Sequence, residues 1–450
     1  MPRLGILKFT VTYWHHYLHV RYSLPGVSYI LTTPVPAKPR LNIPLPFDTF
    51  DYNDAEGQLF DYFKHTASKS LPILGHNPQD LGALLLRISF AGTCPNTLAV
   101  RTAILAYASI HRHGVQGQAF DLKIAALGAL GNASKSCIKG AEHLHVAAGM
   151  LLCSFDIHRA ACTSGQWRFY ITGVKSVIAN SYLLELRYGR GRDTDPDLSM
   201  LLDWVHYHDA MARFSSLHWN REPSNFCFPA QICLEVHHKY KGFTPESLLT
   251  PSSTTALAVA MMQVLEYGCE ALSGRLKTAG AKVDYSVQNL SDLLEPVPFA
   301  PTNDVTLELF YHAILVYLNR SSNHALEAAS ITQERIQRAF DLFRCIDVLP
   351  RQFPLFILGV EARTDEERCL VVRLLERTEG DASSRSLFLV REFVNMVWVQ
   401  RDLAIGDGDG CSGTGSEKDK QGKGEKAPGV GYKEIFSAVL GVAMILPPFV

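Results

Sequence analysis

The sequence predicts an all-α fold, a large multi-helix domain with a Gly-rich disordered loop near the C-terminus. Three observations carry this. Between residues 48 and 405 the apolar residues recur with a period close to 3.6. No alternating period-two runs bounded by turn dipeptides occur to suggest a sheet. With 450 residues, 47% apolar and 19% charged, the chain has the means to bury a large core rather than remain disordered.

Residues 1–47 read as a Pro-rich, disordered extension. Six prolines between positions 25 and 46 (Pro25, Pro34, Pro36, Pro39, Pro44 and Pro46) fix the backbone in extended form and remove amide donors. The helical domain is expected over 48–405. Its first stripe is Leu81, Leu84, Leu85 and Ile88. The next has Asn96 as its expected cap, runs through Leu98, Arg101, Ile104, Leu105 and Ala108, and stops at Gly114.

Trp167, Ile171, Val174 and Ile178 follow helical spacing from a Ser164 or Ser-Gly cap and read as core. Leu201, Leu202 and Val205 form another stripe, then Leu257, Met261, Val264, Leu265 and Leu272, then Ile336, Phe340 and Phe343. Residues 364–367 (TDEE) are a capping box whose acidic first turn suits the helix dipole. Residues 406–433, built of Gly and cancelling charges, are expected to be a flexible loop. Residues 434–450 are expected to be a helix docking on the domain. The apolar run from 435 has sixteen residues with Pro447 and Pro448 near its end, which suits a core helix better than a membrane anchor of about 20 apolar residues. No internal period of 33 to 47 residues with matching signature positions is found.

Charge and cysteine usage limit the function. Lys and Arg number 43 against 44 Asp and Glu, so no overall basic excess draws the protein to nucleic acid or an anionic membrane. Ten cysteines at irregular spacings, several of them inside apolar helical stretches (Cys153, Cys269, Cys345), read as buried thiols in a reducing compartment. The N-terminus is a poor secretory signal, because Lys8 breaks its apolar stretch.

The sharpest catalytic candidate is the consecutive pair His208 and Asp209, which resembles the metal-binding pair of helical phosphohydrolases. Such a site needs further His and Asp ligands from other helices. On the competing reading, His206, Asp209 and Arg213 share one helical face, and Asp209 pairs with Arg213 at i+4 without any metal. His143 with His145, and His237 with His238, point to different faces and are expected at surfaces or interfaces. Cys227 with Cys233, and Cys153 with Cys162, are too widely spaced for a zinc ligand pair. The three arginines of 187–192 (RYGRGR) read as a solvated loop able to touch phosphate. No Gly-x-Ser-x-Gly elbow, phosphate loop or dinucleotide fingerprint is present. No catalytic, cofactor-binding or DNA-binding residue is therefore assigned, and the chain is not expected to be an enzyme.

Five segments in order resemble the fungal-specific transcription factor domain that follows the zinc-binuclear-cluster module in fungal regulators. They are 147–156 (AAGMLLCSFD), 164–178 (SGQWRFYITGVKSVI), 202–215 (LDWVHYHDAMARFS), 353–368 (FPLFILGVEARTDEER) and 397–402 (VWVQRD), and 445–449 (ILPPF) resembles the usual end of such domains. The resemblance implies a transcriptional regulator in the nucleus, controlled by a small-molecule effector or by the transcription machinery, with a homodimer as a family expectation. It also implies a six-cysteine zinc cluster ahead of the domain, whereas residues 1–47 hold no Cys. DNA is thus expected to be reached only indirectly or through a missing N-terminal module, with zinc as a cofactor only in such a cluster. The alternatives are a metal-dependent phosphohydrolase using His208 and Asp209, and a non-catalytic helical scaffold.

Overall fold

The computed structural model describes residues 54–136, 140–159, 165–181, 195–218, 304–321, 328–381 and 387–406, with separate positions between 258 and 272 and between 432 and 449. Every element among them is a helix. The N-terminal extension, the loop expected at 406–433 except its first residue and Tyr432, Ser164, Leu257, the 187–192 arginines, His237, His238, Cys162, Cys227 and Cys233 lie outside the described residues.

Helix α1 (Asp54–His65) leads through a 3-10 turn (Ala67–Ser70) to α2 (Pro78–Ser89), α3 (Pro95–His113), α4 (Gly117–Ser136), α5 (Glu142–His158), α6 (Trp167–Ala179) and α7 (Pro196–His218). After helical positions between 258 and 272 come α8 (Val305–Ser321), α9 (Ala329–Cys345), α10 (Gln352–Gly359), α11 (Asp365–Asp381) and α12 (Leu387–Gly406). Local signals set several ends. Asn77 caps α2 by accepting the Gln79 amide at 3.0 Å, with Pro78 at the first helical position, where its missing N–H removes no helical bond. At 364–367 the capping box forms in both directions: the Glu367 amide donates to Thr364 Oγ1 at 3.2 Å, and the Thr364 amide donates to Glu367 Oε2 at 3.1 Å.

Two expected caps are corrected. Cys94, not Asn96, is the N-cap of α3, because Pro95 already occupies the first helical position, and Asn96 lies buried within the first turn. Its stop at Gly114 is as expected, with φ of 74°. Helix α6 has Gln166 as its N-cap, without a side-chain bond. Two side chains also depart from the expected core. Leu98 is exposed on α3, and Cys345 is exposed at the end of α9. Cys153 and Cys269 are buried.

Three helices are buried on all sides. Residues 146–158 of α5, 307–318 of α8 and 352–359 of α10 are buried without interruption, and the remaining helices pack around them. Helix α6 comes close to α5 at Gly149, where a Cβ would lie 2.5 Å from Val174 Cγ2. The buried apolar residues fall into two main clusters. One spans Leu59 to Val205 and includes Ile73; the other runs from Tyr207 to Phe449 and draws in Leu74, Cys153, Trp167 and Ile171. Helix α7 passes from one to the other between Val205 and Tyr207. At the far end Phe449 packs on Phe214, Phe356 and Phe393, and the Tyr432 hydroxyl donates to Glu361. No helix among the described residues is long and apolar enough to cross a membrane.

Candidate functional site

The seam between the two clusters gathers most of the chemistry singled out in the sequence. On one side of α7, Asp209 Oδ2 accepts Lys175 Nζ of α6 at 2.7 Å and Arg213 Nε at 3.1 Å. Arg213 also reaches Glu266 Oε1 at 3.2 Å, and His206 Nε2 lies 3.2 Å from Glu266 Oε2. The expected i+4 pair of Asp209 and Arg213 is thus one link in a larger buried network. Burial would raise both carboxyls, but Lys175 and Arg213 hold Asp209, and Arg213 and His206 hold Glu266, below the usual carboxylate range. Both stay ionised.

On the adjoining side lie Trp204, Tyr207 and His208, all essentially without solvent exposure. The His208 ring stands edge-on to Trp204 at 6.0 Å and to Tyr207 at 5.6 Å. His208 Nδ1 lies 2.9 Å from the Trp204 carbonyl oxygen, so Nδ1 carries the hydrogen and Nε2 presents a lone pair. Burial, with the Arg351 charge nearby, pushes the His208 pKa down to about 4, and the ring is neutral. Its Nε2, the Tyr207 hydroxyl and Trp204 Nε1 are buried without a hydrogen-bond partner.

Arg351 closes this seam from the residue before α10. Arg351 is 8% exposed; its guanidinium donates to the Ile73 carbonyl at 2.9 Å and forms no ion pair among the described residues. Aromatic packing ties the same region together: Tyr207 meets Phe310 of α8 at 6.0 Å, and Phe310 stacks on Phe353 of α10 at 5.9 Å. One turn earlier on α7, His76 Nε2 lies 2.9 Å from Asp203 Oδ2.

The structure therefore separates the two members of the sequence's metal candidate. His208 enters the aromatic seam, whereas Asp209 is engaged by Lys175 and Arg213, as a 100° step between helical neighbours requires. No group of three or more His, Cys, Asp or Glu able to hold a metal occurs among the described residues. Nothing in this arrangement favours a phosphohydrolase. His143 and His145 on α5 are half-buried, and burial lowers both pKa values. Trp167 is core, as expected. Lys175, Glu266 and Arg351 were missed from sequence. Each is a lone charge far along the chain from its partners, and no local spacing marks it.

Residues 58–413 match the fungal-specific transcription factor domain. The chain belongs to this family. A protein named transcription factor iacI, from Pestalotiopsis fici, is 34% identical over 378 residues, covering 82% of this chain and 94% of that protein. No solved structure matches the chain. As a member of the fungal-specific transcription factor domain family, the protein is a transcriptional regulator and not an enzyme.

Proposed function

We propose that this domain sets the activity of a nuclear transcription factor by switching the packing across the α7 seam when an effector or a partner protein binds. The observation that supports it is the junction itself. Two apolar cores meet at one helix, between a buried network of paired charges and three buried polar atoms without partners. Well-packed cores do not deform gradually, so such a junction suits a small number of discrete arrangements. A molecule that binds one arrangement better shifts the population toward it. We place the DNA contacts in a separate N-terminal module or a partner chain, in keeping with a net charge of −1. For self-association we propose one side of α12, where Phe388, Met396, Val399 and Leu403 stand exposed at helical spacing.

The test is to fuse the full chain to a foreign DNA-binding module in a reporter strain. Reporter output that depends on the fused domain supports the regulatory reading. Output equal to that of the foreign module alone would instead favour the scaffold reading.

A further inference from the structure

We propose that the α7 seam binds a small hydroxylated organic anion of the aromatic hydroxy-acid class, its acid group taken by Arg351 and Tyr207 and its hydroxyl donated to His208. This rests on the effector reading above and gives it a ligand chemistry. A buried guanidinium without a carboxylate partner is unfavourable in a low-dielectric interior, and an anion is the group that would relieve it. Arg351 has one described hydrogen-bond partner, the neutral Ile73 carbonyl. The acid whose charge acts on it, Asp304, forms no ion pair with it and accepts the Leu307 amide at the start of α8.

The orphaned atoms then define the rest of the ligand. Trp204 Nε1 can only donate, the Tyr207 hydroxyl can donate, and His208 Nε2 can only accept, since Nδ1 carries the hydrogen toward Trp204. An anion with several oxygens and one hydroxyl donor matches that set; a simple anion such as chloride leaves His208 unsatisfied. Arg351 is near enough to both Tyr207 and His208 for its charge to be felt by each. The aromatic choice follows from the surrounding rings, Trp204, Tyr207, Phe310 and Phe353. Binding sites occur preferentially where two packed units meet, and this one lies where α7 leaves one core and enters the other.

The test is titration calorimetry on the full chain with three probes: 2-hydroxybenzoate, benzoate, which lacks the hydroxyl, and phenol, which lacks the acid. The parent protein is expected to bind 2-hydroxybenzoate about tenfold or more tightly than either of the others, in line with one lost hydrogen bond to a charged or buried group. Arg351→Met should lose about tenfold or more for both acids. His208→Phe, which keeps an aromatic ring between Trp204 and Tyr207, should bind the two acids equally. Tyr207→Phe removes only an unpartnered hydroxyl, so it should fold as well as the parent and bind both acids more weakly. No binding of any probe at millimolar concentration, or equal binding in the parent and Arg351→Met, would overturn the site and leave buried water as the occupant. The tethered reporter separates the two proposals. Binding without a reporter response removes the effector role and keeps the site, whereas a 2-hydroxybenzoate response that survives Arg351→Met removes the site and keeps the effector role.

Discussion

Lowering the pH from 7 to 5 should destabilise this domain steeply, and the buried histidines are the reason. Burial pushes His111 and His208 from 6.5 down to about 4. His111 accepts or donates to the Tyr62 hydroxyl at 2.9 Å and the Ser70 hydroxyl at 2.8 Å, and its ring stacks on His158 at 4.8 Å. His111 and His208 are both neutral in the fold, while the unfolded chain takes up protons below about 6.5. The unfolded state therefore binds more protons as pH falls, and stability is lost between about 6.5 and 4. At pH 5 a histidine shifted by this much lowers stability by about 2 kcal/mol, so the two together account for about 4 kcal/mol. Whole domains are stable by only about 5–15 kcal/mol. His312, also buried, shifts in the same direction. Asp209 and Glu266, whose values are depressed in the fold, contribute little in this window, because unfolded carboxyls begin to take up protons only at about pH 4. The assay is urea unfolding of the full chain at the two pH values, for the parent and for His208→Phe. The variant should lose about 2 kcal/mol of the pH dependence. Equal parent stability at pH 7 and pH 5, or an undiminished pH dependence in the variant, would refute the argument.

Three further outcomes follow from packing and pairing. Phe449→Ala removes a fully buried ring from the Phe214, Phe356 and Phe393 cluster and should lower unfolding stability by about 3–5 kcal/mol; a loss under about 1 kcal/mol would mean this segment does not dock. Asp209→Asn leaves Lys175 without its carboxylate and should destabilise by about 3–5 kcal/mol in the same assay, with part of the loss recovered in Asp209→Asn combined with Lys175→Met. Thr364→Ala should remove about 1 kcal/mol through its cap on α11, and Thr364→Ser, which keeps the hydroxyl, should behave as the parent does.

Much of the fold was legible because it rests on local rules. The stripes at Leu81 to Ile88, at Trp167 to Ile178 and at Ile336 to Phe343 are all buried as their spacing requires, and the 364–367 box forms both of its bonds. The reading faltered where neighbours rather than period decide burial. Leu98 fits its stripe but no described element covers it, and Asn96 has cap chemistry but follows Pro95, which sets the helix start two positions earlier than an Asn96 cap would. The central roles of α5, α8 and α10 were equally hidden, because a helix apolar on every side has no face to read.

The sequence by itself determined an all-α domain, the pairing of Asp209 with Arg213 and the family resemblance, since each depends on residues a few positions apart or on motifs in order. Only the tertiary structure decided what His208 is. Whether adjacent His and Asp residues share a ligand depends on which groups meet each face of their helix, and here Lys175 of α6 and Arg213 claim Asp209 while α8 and Arg351 enclose the aromatic side. Apart from Arg213, those partners lie 34 or more residues from Asp209 along the chain, and packing in three dimensions, not spacing, brings them together.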